Sequence, residues 1–222
     1  MLIKLISFDL DGTLITSDFD RLIWDVLIPQ KYAEQKGLLL SEAQQIIAED
    51  YMKDLVELNI SAKEWFDVNW WIKRFELNIT WEELWQKAQN TIHVFDDVEE
   101  TIKELKELGY KIIITTGASQ DFIDIKLKNT NFKEMFDEII SVSNKYNSHD
   151  KGSEVYEKIC EEHDIKPYEL LHVGDSYIQD VQAPRAIGAQ SLFLNRDEKI
   201  KSINTITSLK QVVDFIKNQK IN

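Results

Sequence analysis

Three features of this sequence predict an α/β fold, a Rossmann-like doubly wound parallel sheet interrupted by an all-helical insertion. Short apolar, β-branched runs alternate with segments of helical period over most of the chain. A long block after the first run has helical period for most of its length, and polar clusters recur where the apolar runs end.

The first run, residues 2–8, suits a buried strand and stops abruptly at Asp9-Leu10-Asp11-Gly12-Thr13. Beyond Thr16 the period turns helical to about His93, with Leu22, Val26 and Leu27 on one segment and Ala43, Ile46 and Ile47 on the next. These limits divide the chain into a core of residues 1–16 and 94–222 and a helical insertion of residues 17–93. Asp97, with Glu100 three residues on, is a candidate N-cap for a helix through Val98, Ile102, Leu105 and Leu108, which Gly109 ends. A strand over 110–114 leads into Thr115-Thr116-Gly117-Ala118-Ser119, where Ser119 is placed to cap a helix through Phe122, Ile125 and Leu127.

The cycle repeats with a strand over 138–142, a helix over 153–163 and a strand over 170–173 that ends in Gly174-Asp175-Ser176. A helix over 178–187, a strand over 190–194 and an amphipathic helix through Leu209, Val212, Val213 and Ile216 close the pattern. Strands alternating with helices imply a parallel sheet covered on both faces.

Composition narrows the function. The 222 residues suffice for a full core, and the net charge of -13, from 26 Lys and Arg against 39 Asp and Glu, repels nucleic acid and anionic membranes at long range. A small molecule is then the expected partner, and an anionic one needs cations placed locally. The single cysteine, Cys160, excludes an intramolecular disulfide and reads as a buried, inert thiol beside Glu161 and Glu162. No apolar run reaches the roughly 18 residues of a membrane span, and the opening run leads into charge rather than a cleavage region, so a reducing cytoplasm is expected. His93, His149, His163 and His172 show no zinc spacing, and His172, inside a predicted strand, reads as structural.

In an open parallel sheet, ligands bind beyond the carboxyl ends of the strands. That edge is where Asp9, Asp11, Thr115, Thr116, Asp175 and Asp180 fall, with Lys151 in the loop before a later helix. Any one of these acids alone is explained as a turn residue or a cap. Their sharing one edge is not.

These residues resemble the motifs of the haloacid dehalogenase superfamily. Asp9-Leu10-Asp11-Gly12-Thr13 after a strand matches its Asp-x-Asp-Gly-Thr motif, Ile112-Ile113-Ile114-Thr115-Thr116 its strand ending in Thr or Ser, and Val173-Gly174-Asp175-Ser176 with Asp180 its acidic motif. Thr116 stands where many relatives carry Asn. Lys151-Gly152 resembles a Lys-Gly form of the motif lysine, with Lys145 as the competing candidate. The resemblance spans residues 1–16 and roughly 94–222, and the insertion matches the family's cap in position and helical character.

The resemblance implies a Mg²⁺-dependent phosphohydrolase of the phosphoglycolate phosphatase and β-phosphoglucomutase type, acting on a small phosphomonoester. Asp9 would be the nucleophile that forms an aspartyl-phosphate, and Asp11 the general acid and base. Mg²⁺ would be held by the Asp9 carboxylate, the Asp11 carbonyl and Asp175, with Asp180 bound directly or one shell out. Lys151, the Thr115 hydroxyl and the N–H groups of Leu10, Asp11 and Thr116 would bind the phosphoryl oxygens. Asp11 argues against true dehalogenases, which lack this second acid. A phosphomutase and a non-catalytic binding module remain as alternatives.

All six tryptophans, Trp24, Trp65, Trp70, Trp71, Trp81 and Trp85, lie in the insertion. Filling the core of a small helical bundle accounts for any one of them, and some rings are free to select an apolar or ring-bearing leaving group. Arg21 and Arg74, the arginines of this block, read as partners in surface salt bridges.

Overall fold

A computed structural model describes residues 3–57, 59–128, 130, 132–197 and 204–219. The chain divides into two compact units, residues 1–15 with 94–222, and residues 16–93.

The first unit is built on a six-stranded parallel sheet: β1 (Leu5–Phe8), β2 (Lys111–Thr116), β3 (Glu138–Ser141), β4 (Leu170–Gly174), β5 (Gln190–Leu194) and β6 (Thr205–Ile206). Its spatial order is β3-β2-β1-β4-β5-β6. The order reverses between β1 and β4, which is where a sheet of this kind opens a crevice for ligands. Every residue of β1 and β4 is buried, as strands covered on both faces require. On one face Leu5, Ile113, Ile140 and Leu170 pack with Val155, Tyr156, Ile159 and Cys160 of the helix Ser153–Glu162. The helix Val98–Glu107 packs on β2 and against Lys210–Gln219. Burial pushes the Cys160 thiol up to about 11, as expected of an inert cysteine.

Several element limits differ from the sequence expectation. The first strand begins at Leu5, and Leu2 lies outside the described residues. Val142 opens a helix, Val142–Tyr146, because the Ser141 side chain accepts from the Asn144 N–H and caps it. Asp97 precedes its helix but does not cap it, since its carboxylate is occupied by Arg196, Ser208 and the Leu209 N–H. The helix expected over 178–187 is a π-helical turn, Tyr177–Gln182, followed by a short α-helix, Ala183–Ala186. Pro184 has no N–H for the regular ladder, and the wider turn accommodates that loss. The two-residue β6 was too short to leave a periodic signal.

The second unit is helical. Asp18–Arg21 runs into a π-helical segment, Leu22–Leu27, and then Ile28–Lys36, which ends at Gly37 in the left-handed conformation, φ 68°. Leu40–Glu57 is followed by Ala62–Trp65, Val68–Arg74 and Trp81–Ala88. Ser61 with Glu64 and Thr80 with Glu83 form capping boxes at the first and last of these three. Phe19, Ile23, Ala43, Ile47, Trp71, Phe75 and Leu84 are buried in this unit. Arg74 is more than a surface partner: it grips the buried Asp54 carboxylate through Nε at 2.7 Å and Nη2 at 3.1 Å. Among the described residues no helix is long and apolar enough to cross a membrane.

Candidate active site

Asp9 follows β1 directly, and its N–H donates to the Val173 carbonyl of β4 at 2.9 Å, which seats it at the reversal of strand order. Asp175 follows β4, and Asp180 comes from the π-helical turn beyond it. Oxygens of these three carboxylates lie within 4.8 Å of one another. Lys151, at the start of the loop into Ser153–Glu162, is buried among them, hydrogen-bonded to Asp9 and 2.6 Å from Asp180 Oδ1. Its backbone N–H donates to Gln179 Oε1 at 3.2 Å. Lys145 is elsewhere, paired at the surface with Glu138 and Glu162.

The turn that carries the first acids is shaped by its own backbone. The Leu10 carbonyl accepts from the Leu14 and Ile15 N–H groups, and the Gly12 N–H donates to the Ile15 carbonyl at 2.7 Å. Gly12 has φ +81°, and a Cβ there would run into the Asp175 carboxylate. Glycine therefore lets the first acidic loop and Asp175 approach closely. Asp11 points to another partner, Lys126 of the helix Gln120–Lys128, whose fully buried Nζ lies 2.6 Å from Asp11 Oδ1.

A buried polar chain runs beneath the acids. Thr115 Oγ1 and Ser7 Oγ are 2.8 Å apart, Ser7 Oγ and His172 Nδ1 2.9 Å, and His172 Nε2 and Asp180 Oδ1 3.0 Å. Burial pushes His172 below its ordinary pKa despite Asp180, so the ring is neutral and carries one proton. The Asp180 carboxylate only accepts, which puts that proton on Nε2. Nδ1 then accepts from Ser7, and Ser7 accepts from Thr115. The proton of Thr115 is thus engaged, and a phosphoryl oxygen would have to replace Ser7 as its acceptor. Thr116 is also buried, its hydroxyl accepting from the Ala118 N–H at 3.1 Å.

The carboxylates divide the available positive charge unequally. Burial alone would raise Asp180, but Lys151, His172 and the Ser176 N–H outweigh it and hold it well below the usual carboxylate range. Asp9 is pushed the other way, chiefly by burial, with Lys151 opposing and Asp180 and Asp175 adding repulsion. Asp175 is raised to about 6 by desolvation and by the neighbouring Asp180 charge. Three acids sharing one lysine leave an excess of negative charge, and all the donors are oxygens. This is the donor set a hard divalent cation takes.

The structure thus gathers Asp9, Asp175, Asp180 and Lys151, keeps Asp11 in the same turn as Asp9, and links Thr115 to the cluster through Ser7 and His172. Sequence reasoning missed Lys126 and Ser7 and gave His172 no part in the cluster. The spacing of Ser7 on β1 and Asp9 just beyond its end was a signal for Ser7, since residues two apart along an extended chain share a face.

A family model described as haloacid dehalogenase-like hydrolase matches residues 3–188. The chain is 24% identical over 198 residues to a phosphoglycolate phosphatase of Aliivibrio fischeri, covering 86% of this chain and 84% of that protein. It is 22% identical over 171 residues to the GMP/IMP nucleotidase YrfG of Escherichia coli, covering 77% and 73%. The crystal structure of a HAD phosphatase from Thermococcus onnurineus superimposes with a TM-score of 0.78 at 24% identity, covering 96% of this chain and 98% of that one, which shows a shared fold.

Proposed function

The chain belongs to the haloacid dehalogenase-like hydrolase family, and we propose that within it the chain is a Mg²⁺-dependent phosphohydrolase of small phosphomonoesters, with Asp9 as covalent nucleophile. In this reading residues 17–93 are the cap domain and residues 1–16 with 94–222 the catalytic core. The similarity to a phosphoglycolate phosphatase and a nucleotidase supports a phosphoester substrate. The observation that carries the reading is the convergence of Asp9, Asp175 and Asp180 around Lys151 at the strand reversal.

Asp9, Asp175, Asp180 and the Asp11 carbonyl would hold Mg²⁺, which when bound supplies charge neutralisation for the phosphoryl group and favours the ionised form of Asp9. The remaining work belongs to the chain. Lys151 offsets repulsion between the Asp9 carboxylate and the incoming phosphate, and burial keeps competing water from the pair. Asp9 attacks phosphorus in line, the bond to the leaving oxygen breaks, and Asp11, entering this step in its protonated form, gives that oxygen its proton and becomes a carboxylate. Asp11 then takes a proton from water as its oxygen attacks the phosphorus, the bond to Asp9 breaks, and phosphate is released. Thr115 and the N–H groups of Leu10, Asp11 and Thr116 hold the phosphoryl oxygens, with Thr115 turning from Ser7 to do so.

Phosphate release from an aryl phosphate and a panel of metabolite phosphates, with Mg²⁺ and with a chelator, tests the proposal. Release that requires Mg²⁺ is the expected result. Interconversion of sugar phosphates without net release would contradict hydrolysis.

A further inference from the structure

The helical unit holds an aromatic cavity of about 240 Å³, lined by Trp24, Asp25, Tyr51, Trp65, Phe66 and Trp71. Its rings meet as walls at steep angles. Trp24 and Tyr51 are 5.9 Å apart at 81°, Tyr51 and Trp65 6.1 Å at 68°, and Trp65 and Trp71 5.4 Å at 81°. Trp71 is fixed by its indole N–H, which donates to the Trp65 carbonyl at 2.8 Å. The box is therefore partly preformed, which lowers the cost of ordering it around a ligand.

Three observations separate this cavity from ordinary bundle packing. The Asp25 side chain is exposed beside the rings, and its carboxylate pairs with no cation among the described residues. The Tyr51 hydroxyl is buried with no hydrogen-bond partner among the described residues. Trp24 and Asp25 sit in the π-helical segment Leu22–Leu27, a widened turn of the kind that recurs at functional sites. Ring faces present negative potential to a cation, tryptophan most strongly, and a nearby carboxylate adds to it. The net charge of -13 draws cations at long range.

We infer that this cavity is a binding site for a small organic cation, a quaternary or heavily substituted ammonium group, held by the Trp24, Tyr51, Trp65 and Trp71 rings and by Asp25. A compact inorganic cation would keep its hydration shell and gain little from the rings, whereas a methylated ammonium spreads its charge over an apolar surface that fits them. The site lies wholly within the helical unit and does not depend on the phosphohydrolase reading.

The test is a titration of the full chain followed by tryptophan fluorescence at matched ionic strength, using choline, phosphocholine and the neutral isostere 3,3-dimethylbutan-1-ol. Asp25→Asn serves as the variant, because the residue is exposed and its loss leaves the packing intact. The expected result is a saturable change with a choline group, about tenfold weaker in Asp25→Asn and in the neutral isostere. Saturation by both choline and phosphocholine identifies the ammonium head as sufficient, whereas saturation by phosphocholine alone places the binding on its phosphate and would overturn the inference. Equal binding of the neutral alcohol, unchanged binding by Asp25→Asn, or no saturation with either cation would overturn the inference.

Discussion

Lys126, fully buried, holds its ammonium 2.6 Å from the carboxylate of Asp11. A buried charge of this kind is costly unless paired, so the contact ties the helix Gln120–Lys128 to the turn that carries the proposed general acid and base. Lys126→Met keeps most of the volume and removes the charge. The expected outcome is a fall in kcat of about tenfold or more, against a loss of roughly 10² to 10⁴ for Asp11→Asn. If the two residues act as a unit, the double variant falls little further than Asp11→Asn alone. Additive losses in steady-state kinetics would show that Lys126 does not work through Asp11.

His172 orients Asp180 from beneath the acidic cluster, its Nε2 3.0 Å from Oδ1. In the proposed site Asp180 is a Mg²⁺ ligand, and groups that hold such a ligand in place commonly change metal affinity by about 10- to 100-fold when removed. His172→Leu is therefore expected to raise the Mg²⁺ concentration for half-maximal activity by about tenfold or more. His172→Gln, which retains an N–H donor, should recover part of that loss. An unchanged Mg²⁺ dependence in an intact fold would remove His172 from the account.

Asp97 contributes to acid stability. Burial raises its pKa, but the bidentate Arg196 contact, the Leu209 N–H and the Ser208 hydroxyl outweigh that and hold it below the ordinary carboxylate value. A folded-state pKa below the unfolded one, about 3.9, contributes stability that is present above roughly pH 4 and lost as pH falls through the folded value. Asp97→Asn should cost about 2 kcal/mol at neutral pH, with the difference narrowing below roughly pH 4. Urea unfolding at several pH values measures this, and a difference constant down to pH 3 would contradict it.

Much of the architecture was legible because it rests on local pattern. The apolar runs at the positions of β1, β2 and β4 ended where the chemistry-bearing residues began, and the strand reversal brought Asp9, Asp175 and Asp180 together. What was hidden depended on distant pairing. Lys126 reads as one more charge on an amphipathic helix until Asp11 is placed beside it. Ser7 and His172 read as strand residues until the register of β1 with β4 sets them opposite each other. Asp97 has the sequence of an N-cap, but Arg196 and Leu209 compete for its carboxylate and win. The π-helical turn at Tyr177–Gln182 departs from the 3.6-residue period on which helix reading depends.

Transfer of the phosphoryl group to Asp9 is measured by acid-quenching the enzyme during turnover of a phosphate-labelled substrate and locating the label by peptide mapping. The expected result is a hydroxylamine-sensitive label on the peptide carrying Asp9, absent from Asp9→Asn, with turnover lost in the same variant. Label on another residue, or wild-type turnover by Asp9→Asn, would contradict it.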